Sequence, residues 1–237
     1  EEDFLADETP IDLYKKQLTK KRKRQTKNLG IELWAPESSF RKLDTNIKKN
    51  TTFVNAKLEN LRENQRTSLE TEFKKLNLVR YKQEAVTTLT TSRYKTNDLP
   101  LAVYMCELFH HRFEDFQELL EGGFKSNFGK IRTILNDHKK LEKKKGNAEL
   151  INQCPEGLDF PKIKQDIKFV SELTILGLIS AKAGLGMLLY ILKEFCAENE
   201  GKQKEYNDIV LFCCKSIGED IFGLVPRDQK DDMVKSD

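Results

Sequence analysis

The residue types that could do chemistry are few in this chain, and they are poorly grouped. His110 and His111 could ligate a metal or move a proton. Consecutive side chains on a helix diverge by about 100°, however, so one is expected to pack and the other to face solvent. Glu219-Asp220 offers adjacent carboxylates, but these also face apart, with no nucleophile nearby. Ala183-Gly184-Leu185-Gly186 resembles a phosphate loop. It lacks the Gly-Lys-Ser/Thr that would follow and the strand that would precede, so it reads as a tight turn between helices. The cysteines, Cys106, Cys154, Cys196, Cys213 and Cys214, are odd in number, and all but Cys154 sit in helical patterns beside apolar residues. That usage predicts buried free thiols in a reducing compartment. Zinc would want paired Cys or His at short spacing, and Cys213-Cys214 point about 100° apart on a helix. No catalytic residue, metal or cofactor is therefore expected, and the chain does not read as an enzyme.

What remains is binding chemistry. Lys20, Lys21, Arg22, Lys23 and Arg24 form one basic run, and Lys139, Lys140, Lys143, Lys144 and Lys145 form a second. Both could contact phosphates or a partner protein. No aromatic residue is interleaved with either, so RNA binding would be phosphate-led and indifferent to sequence. The first run fits a nuclear localisation patch or a solvated helix end equally well, the latter favoured by the helix dipole. The net charge of +3, with one third of residues charged, does not demand a polyanionic partner.

These residues must be carried by helices. Leu, Lys and Glu are abundant and only 6 prolines occur in 237 residues. Residues 10–28 predict a helix with Thr9 as N-cap, Pro10 at its first position and Gly30 as terminator. Its apolar stripe is short (Ile11, Tyr14, Leu18), so its basic second half is expected to project or to lie loosely on the rest. Phe40, Leu43, Ile47, Val54, Leu58 and Leu61 share a stripe with a bend near Asn50 and Thr51. Leu69, Phe73 and Leu76 mark the next helix, and Asn77 caps one carrying Tyr81, Ala85 and Leu89. A helix from Asp98 is followed by one with Phe116 and Leu120 that ends at Gly122-Gly123. Residues 125–145 form another, and 146–161 a loop. The segment from Lys162 is apolar on more than one stripe, predicting a central helix with its break at Gly184 and Gly186; residues 204–217 form the last. Leu173 to Leu192 carries a single charge, Lys182, over nearly a membrane-spanning length. The mid-segment lysine and the glycines favour two buried helices instead. Helical pairs at this spacing predict an all-α, HEAT-like solenoid of antiparallel helix pairs, each burying its face against neighbours.

Several ordered blocks carry a resemblance. Lys48-Lys49-Asn50-Thr51-Thr52-Phe53-Val54, Leu76-Asn77-Leu78 with Tyr81, and Asp98 to Phe116 come first. Ile167 to Ile175 and Gly218-Glu219-Asp220-Ile221 with Gly223 to Arg227 are the most distinctive. Together, over roughly residues 37–228, they resemble the first MIF4G-type domain of the regulator of nonsense transcripts 2 family, scaffolds of nonsense-mediated mRNA decay. The resemblance implies a monomeric, non-catalytic scaffold in the cytoplasm, perinuclear or shuttling to the nucleus. It implies contacts with other decay factors, namely a helicase, a kinase and exon-junction-linked proteins. Phosphate-led RNA binding, or clamping of a DEAD-box helicase, are the other readings it allows. Domain expectations follow: a charged helix and linker at 1–36, the MIF4G-type domain at 37–228 with an insertion at 146–161, and a polar tail at 229–237. Gly129 to Pro161 is longer and richer in lysine than the family pattern. The first residue is not methionine and the chain stops soon after Arg227, so it is expected to be a piece of a longer protein.

Overall fold

Helical periodicity is realised through most of the described residues of the computed structural model, which are 10–31, 34, 36–145, 155–197 and 204–222. Its helices are α1 (Pro10–Leu29), α2 (Ile47–Thr51), α3 (Arg66–Lys75), α4 (Lys82–Thr91), α5 (Leu99–Arg112), α6 (Phe116–Lys145), α7 (Phe160–Ile175), α8 (Ala181–Ala197) and α9 (Lys204–Phe222). Among the described residues the sole β contact is an isolated bridge between Asp44 and Leu76. The helices stack as an all-α solenoid: α4 packs on α6, α5 on α3, α6 and α7, and α7 on α8 and α9. The Thr9 cap, the 146–154 loop and the segment from 223 onward lie outside the described residues.

As its double stripe predicts, α7 lies at the centre. Ile163, Ile167, Phe169, Val170 and Leu173 are buried along it. Phe169 meets Phe124 edge-on at 5.3 Å and Tyr94 at 6.2 Å, which ties α6 and the α4–α5 connection to α7. A second aromatic group runs through the first half, with Phe109 at 4.9 Å from Phe73 and 5.0 Å from Phe116. Two half-buried cations close helix ends in the stack. Arg112 lies 3.7 Å over the Phe73 ring and donates to the carbonyls of Phe73 and Leu76, the orphan acceptors after α3. Burial lowers its pKa to about 10, still charged at neutral pH. Lys162 does the same for α4, donating to the Thr90 and Ser92 carbonyls and to Asp166 at 2.7 Å.

The expected bend near Asn50 is present in an unexpected form. After α2 the chain widens into a π turn at Thr52–Lys57, and the buried Asn50 amide donates to the carbonyls of Asp44 and Asn77. Widening by one residue rotates the register, which buries Phe53, Val54 and Leu58 but leaves Ile47 71% exposed, outside the core. Asp98 precedes α5 but its carboxylate does not cap it; it accepts from the Glu63 N–H and from Arg62.

Three expected boundaries are corrected. Gly122-Gly123 does not end a helix, because α6 runs unbroken for 30 residues. Gly123 instead admits α4: a Cβ there would lie 2.9 Å from Val86 and 3.1 Å from Thr90. The break after α7 is at Gly177, which has φ +73°, and not at Gly184 or Gly186, both of which lie inside α8. Gly184 serves close approach, since a Cβ on it would stand 2.0 Å from Thr174 Oγ1 on α7. Finally, Phe160 and Pro161 belong to α7, whose first turn is capped by Asp159 accepting from the Lys162 N–H. Proline at a first helical position reads in sequence like loop proline.

Candidate functional site

The first basic run does not hang free. The C-terminal turn of α1 is pinned by Asn28, which is buried. Its amide Nδ2 donates to the Leu176 carbonyl at 2.8 Å, fixing the amide orientation. The remaining oxygen, Oδ1, therefore accepts from His111 Nε2 at 2.7 Å, while the Asn28 carbonyl accepts from His110 Nε2 at 3.2 Å. Trp34 Nε1 donates to the His110 carbonyl, and Leu29 covers Gly177. Both histidines are thus engaged, correcting the expectation that one faces solvent. Burial lowers the pKa of each, so both are held neutral. The polar end of α1 is thus a firm attachment, while Tyr14 and Leu18 of the apolar stripe are half-buried. Sequence did not reveal the anchored end because hydrophobic periodicity does not register hydrogen-bonded anchors.

This docking sets Lys20 and Arg24 against the solenoid, over a groove of about 630 Å³ whose floor is Leu99, Pro100 and Val103. Arg24 forks onto Glu107, at 2.9 Å for its shorter bond. Across the groove Arg66 lies 4.6 Å over the Tyr104 ring and bonds Glu63, and the Tyr104 hydroxyl donates to Glu70 at 2.7 Å. Burial first, then that bond, pushes the Tyr104 pKa up to about 12. Lys168 and Glu172 from α7 complete the lining. Cations alternate with carboxylates, and the aromatic face is already covered by Arg66. Such a surface suits a polar protein segment better than a phosphate backbone. Arg66, Tyr104, Glu107 and Lys168 carried no signal in sequence, since they come from α3, α5 and α7 and only the packing of those helices brings them together. Of the rest of the run, Arg22 and Lys23 are exposed and Lys21 is half-buried.

The second run is partly consumed by the fold. Lys139 reaches Glu194 on α8 at 3.2 Å and Lys140 pairs with Asp137 at 2.9 Å. Helix α6 continues through Lys143, Lys144 and Lys145, whose side chains lie outside the described residues. Glu219 and Asp220 end α9, and their side chains are likewise outside it. Among the described residues no group of His, Cys, Asp and Glu is placed to hold a metal ion. Cys106 and Cys213 are buried free thiols, and burial pushes Cys213 up to about 12. Cys196 and Cys214 are exposed, which corrects the expectation for them, and Cys154 is not described. No described helix is long and apolar enough to cross a membrane.

No protein-family model matches the chain. It is 34% identical over 194 residues, 82% of its length, to regulator of nonsense transcripts 2 of Homo sapiens. Against regulator of nonsense transcripts UPF2 of Arabidopsis thaliana it is 33% identical over 142 residues, or 58% of the chain. It spans 13% and 12% of the lengths of those relatives. Among solved structures it superposes on the first MIF4G domain of human nonsense mediated decay factor UPF2 with a TM-score of 0.75 and 31% identity. That match covers 95% of this chain and 67% of the human one.

Proposed function

Because the chain belongs to the family of MIF4G-type domains of regulator of nonsense transcripts 2, we propose that it is a non-catalytic scaffold domain that helps assemble the mRNA surveillance complex through protein–protein contacts. The observation that carries this reading is the superposition on the first MIF4G domain over 95% of the chain. The groove beneath α1 supports it, because its alternating charges on an apolar floor are those of a protein-binding surface. The partners proposed are other decay factors: a helicase, a kinase and exon-junction-linked proteins. The proposed place of work is the cytoplasm. RNA is the less supported partner, since Arg24, Lys139 and Lys140 are each taken up by a carboxylate.

Co-purification of the tagged chain from cells, with and without nuclease, tests the reading by mass spectrometry. The expected result is decay factors retained after nuclease treatment. Loss of every such partner on nuclease treatment would overturn it in favour of an RNA-binding module.

A further inference from the structure

A second groove, of about 590 Å³, lies between α6 and α8, away from α1. One face of each helix lines it. Residues 121, 125, 128, 129 and 132 recur at helical spacing on α6, and residues 182, 183, 186, 187 and 190 do so on α8. Its floor is apolar, with Phe128, Ala183 and Met187.

Glycines open it. Gly184 and Gly123 are explained by close approach inside the fold, as above. Gly129 and Gly186 are not: a Cβ on either meets nothing within 4 Å. Mid-helix glycine destabilises a helix relative to alanine. Here that cost has no internal packing to explain it, and its effect is a smooth trough between two helices.

The rim is positive. Lys125, Arg132 and Lys182 surround it against the single carboxylate of Glu121. That carboxylate is already occupied by the Ser180 N–H at 2.9 Å and by Lys125 at 3.2 Å. Arg132 lies 5.6 Å from the Tyr190 ring, and the Glu194 carboxylate, which also acts on Tyr190, is already paired with Lys139. Along the outer edge of α8, Leu185 is 39% and Leu189 50% exposed, one turn apart and adjoining Gly186.

We propose that this groove docks an acidic amphipathic helix of a partner protein. A helix is the occupant because the ridge of a third helix fills the trough between two others, its apolar stripe facing Phe128 and Met187. It is acidic because carboxylates flanking the stripe meet Arg132 and Lys182. A second copy of this chain is a poor occupant, since its most exposed helix, α1, is basic. Nucleic acid is a poor one because the floor is apolar, Phe128 is buried, and the half-buried Tyr190 ring already has the Arg132 guanidinium against it. The proposal rests on the scaffold reading and names a partner class and a site for it.

The test is selection from a phage-displayed library of random peptides about sixteen residues long, enough for a helix of some 24 Å, on the 237-residue chain. Enriched peptides are expected to carry Leu, Phe or Met at i, i+3 or i+4, and i+7, with Glu or Asp beside them. Labelled copies should bind about tenfold or more weakly to Gly186→Phe, which fills the trough, and to the double reversal Arg132→Glu, Lys182→Glu, a change of ~1.4 kcal/mol. If Gly186→Phe does not fold, the double reversal alone decides. No enrichment, enrichment of basic or non-amphipathic peptides, or undiminished binding to the variants would overturn the proposal. Selection that succeeds while co-purified decay factors are absent would reject the surveillance role and keep the groove. The opposite pair of results would reject the groove and keep the scaffold.

Discussion

Gly184 and Gly186 stand two residues apart in one helix and obey different physics. Gly184 sits where a methyl would overlap Thr174 Oγ1 at 2.0 Å, whereas Gly186 faces open space. Gly184→Ala is therefore expected to force α7 and α8 apart and to cost ~1–3 kcal/mol, the usual price of overpacking. Gly186→Ala should instead stabilise the fold by up to about 1 kcal/mol through helix propensity. Thermal melts followed by circular dichroism decide this, and equal shifts for the two would contradict the α7–α8 contact. The pair also shows what single residues conceal in sequence. Read along the chain, both glycines look like turn formers, and so do Gly122 and Gly123. Nothing local distinguishes a glycine that ends a helix from one that lets another helix in. The break at Gly177 was equally unreadable, because its spacing matched the apolar stripe of α7. Buried apolar positions such as Ile163, Ile167 and Val170 were legible, since 3.6-residue periodicity encodes them directly.

At the scale of elements, α1 is the piece whose attachment depends on protonation. His110 and His111 have pKa values lowered mainly by burial; Lys27 lowers His111 further, and Glu107 opposes the shift in both. Each is thus less ready to bind a proton when α1 is docked than when it is detached, where the ordinary value near 6.5 applies. Above that value both are neutral in either state and nothing changes. As pH falls through about 6.5 the detached state takes up protons first, so docking weakens until the lowered folded values are passed. Hydrogen exchange of the α1 amides should accelerate between about pH 7 and 5 relative to those of α7. Asn28→Ala removes the acceptor for His111 and the donor to Leu176, so it should loosen α1 by ~1–3 kcal/mol. Exchange in α1 that is unaffected by this substitution would show that the helix is held by other contacts. Sequence placed the helix at 10–28, within a residue of its observed end, because caps and composition are local signals. It missed how the helix is held because Asn28 and the histidines lie 82 and 83 residues apart.

Over the whole molecule, near-neutrality and ion pairing decide what a polyanion meets. The formal charge is +3, and cations that looked clustered in sequence are distributed among carboxylates by the fold. Arg24 is held by Glu107, Lys139 by Glu194 and Lys140 by Asp137. The two basic runs were legible as sequence; the pairing of Arg24 and Lys139 was not, because Glu107 and Glu194 lie 83 and 55 residues away, whereas Asp137 is a near neighbour of Lys140 on α6. The succession of helices was legible too, since each repeats a local pattern, whereas the grooves arise from which faces meet. The exposed Lys140–Asp137 pair contributes only ~0–1 kcal/mol and can be broken by phosphate, whereas Arg24–Glu107 and Lys139–Glu194 are half-buried and held more firmly. Single-stranded RNA is therefore expected to bind through a few phosphates at most. With about three contacts, affinity falls as roughly the second power of salt, so raising salt threefold from ~50 mM should weaken binding about tenfold. Fluorescence anisotropy with two RNAs of unrelated sequence should show equal, weak binding at low salt and none measurable near 150 mM. Replacing Lys139, Lys140, Lys143, Lys144 and Lys145 by glutamine should remove more of the low-salt signal than Tyr104→Ala, because Arg66 already covers the Tyr104 ring at 4.6 Å and leaves a base nowhere to stack. Tight, salt-insensitive or sequence-selective binding would contradict this charge balance and make nucleic acid, not protein, the partner this surface serves.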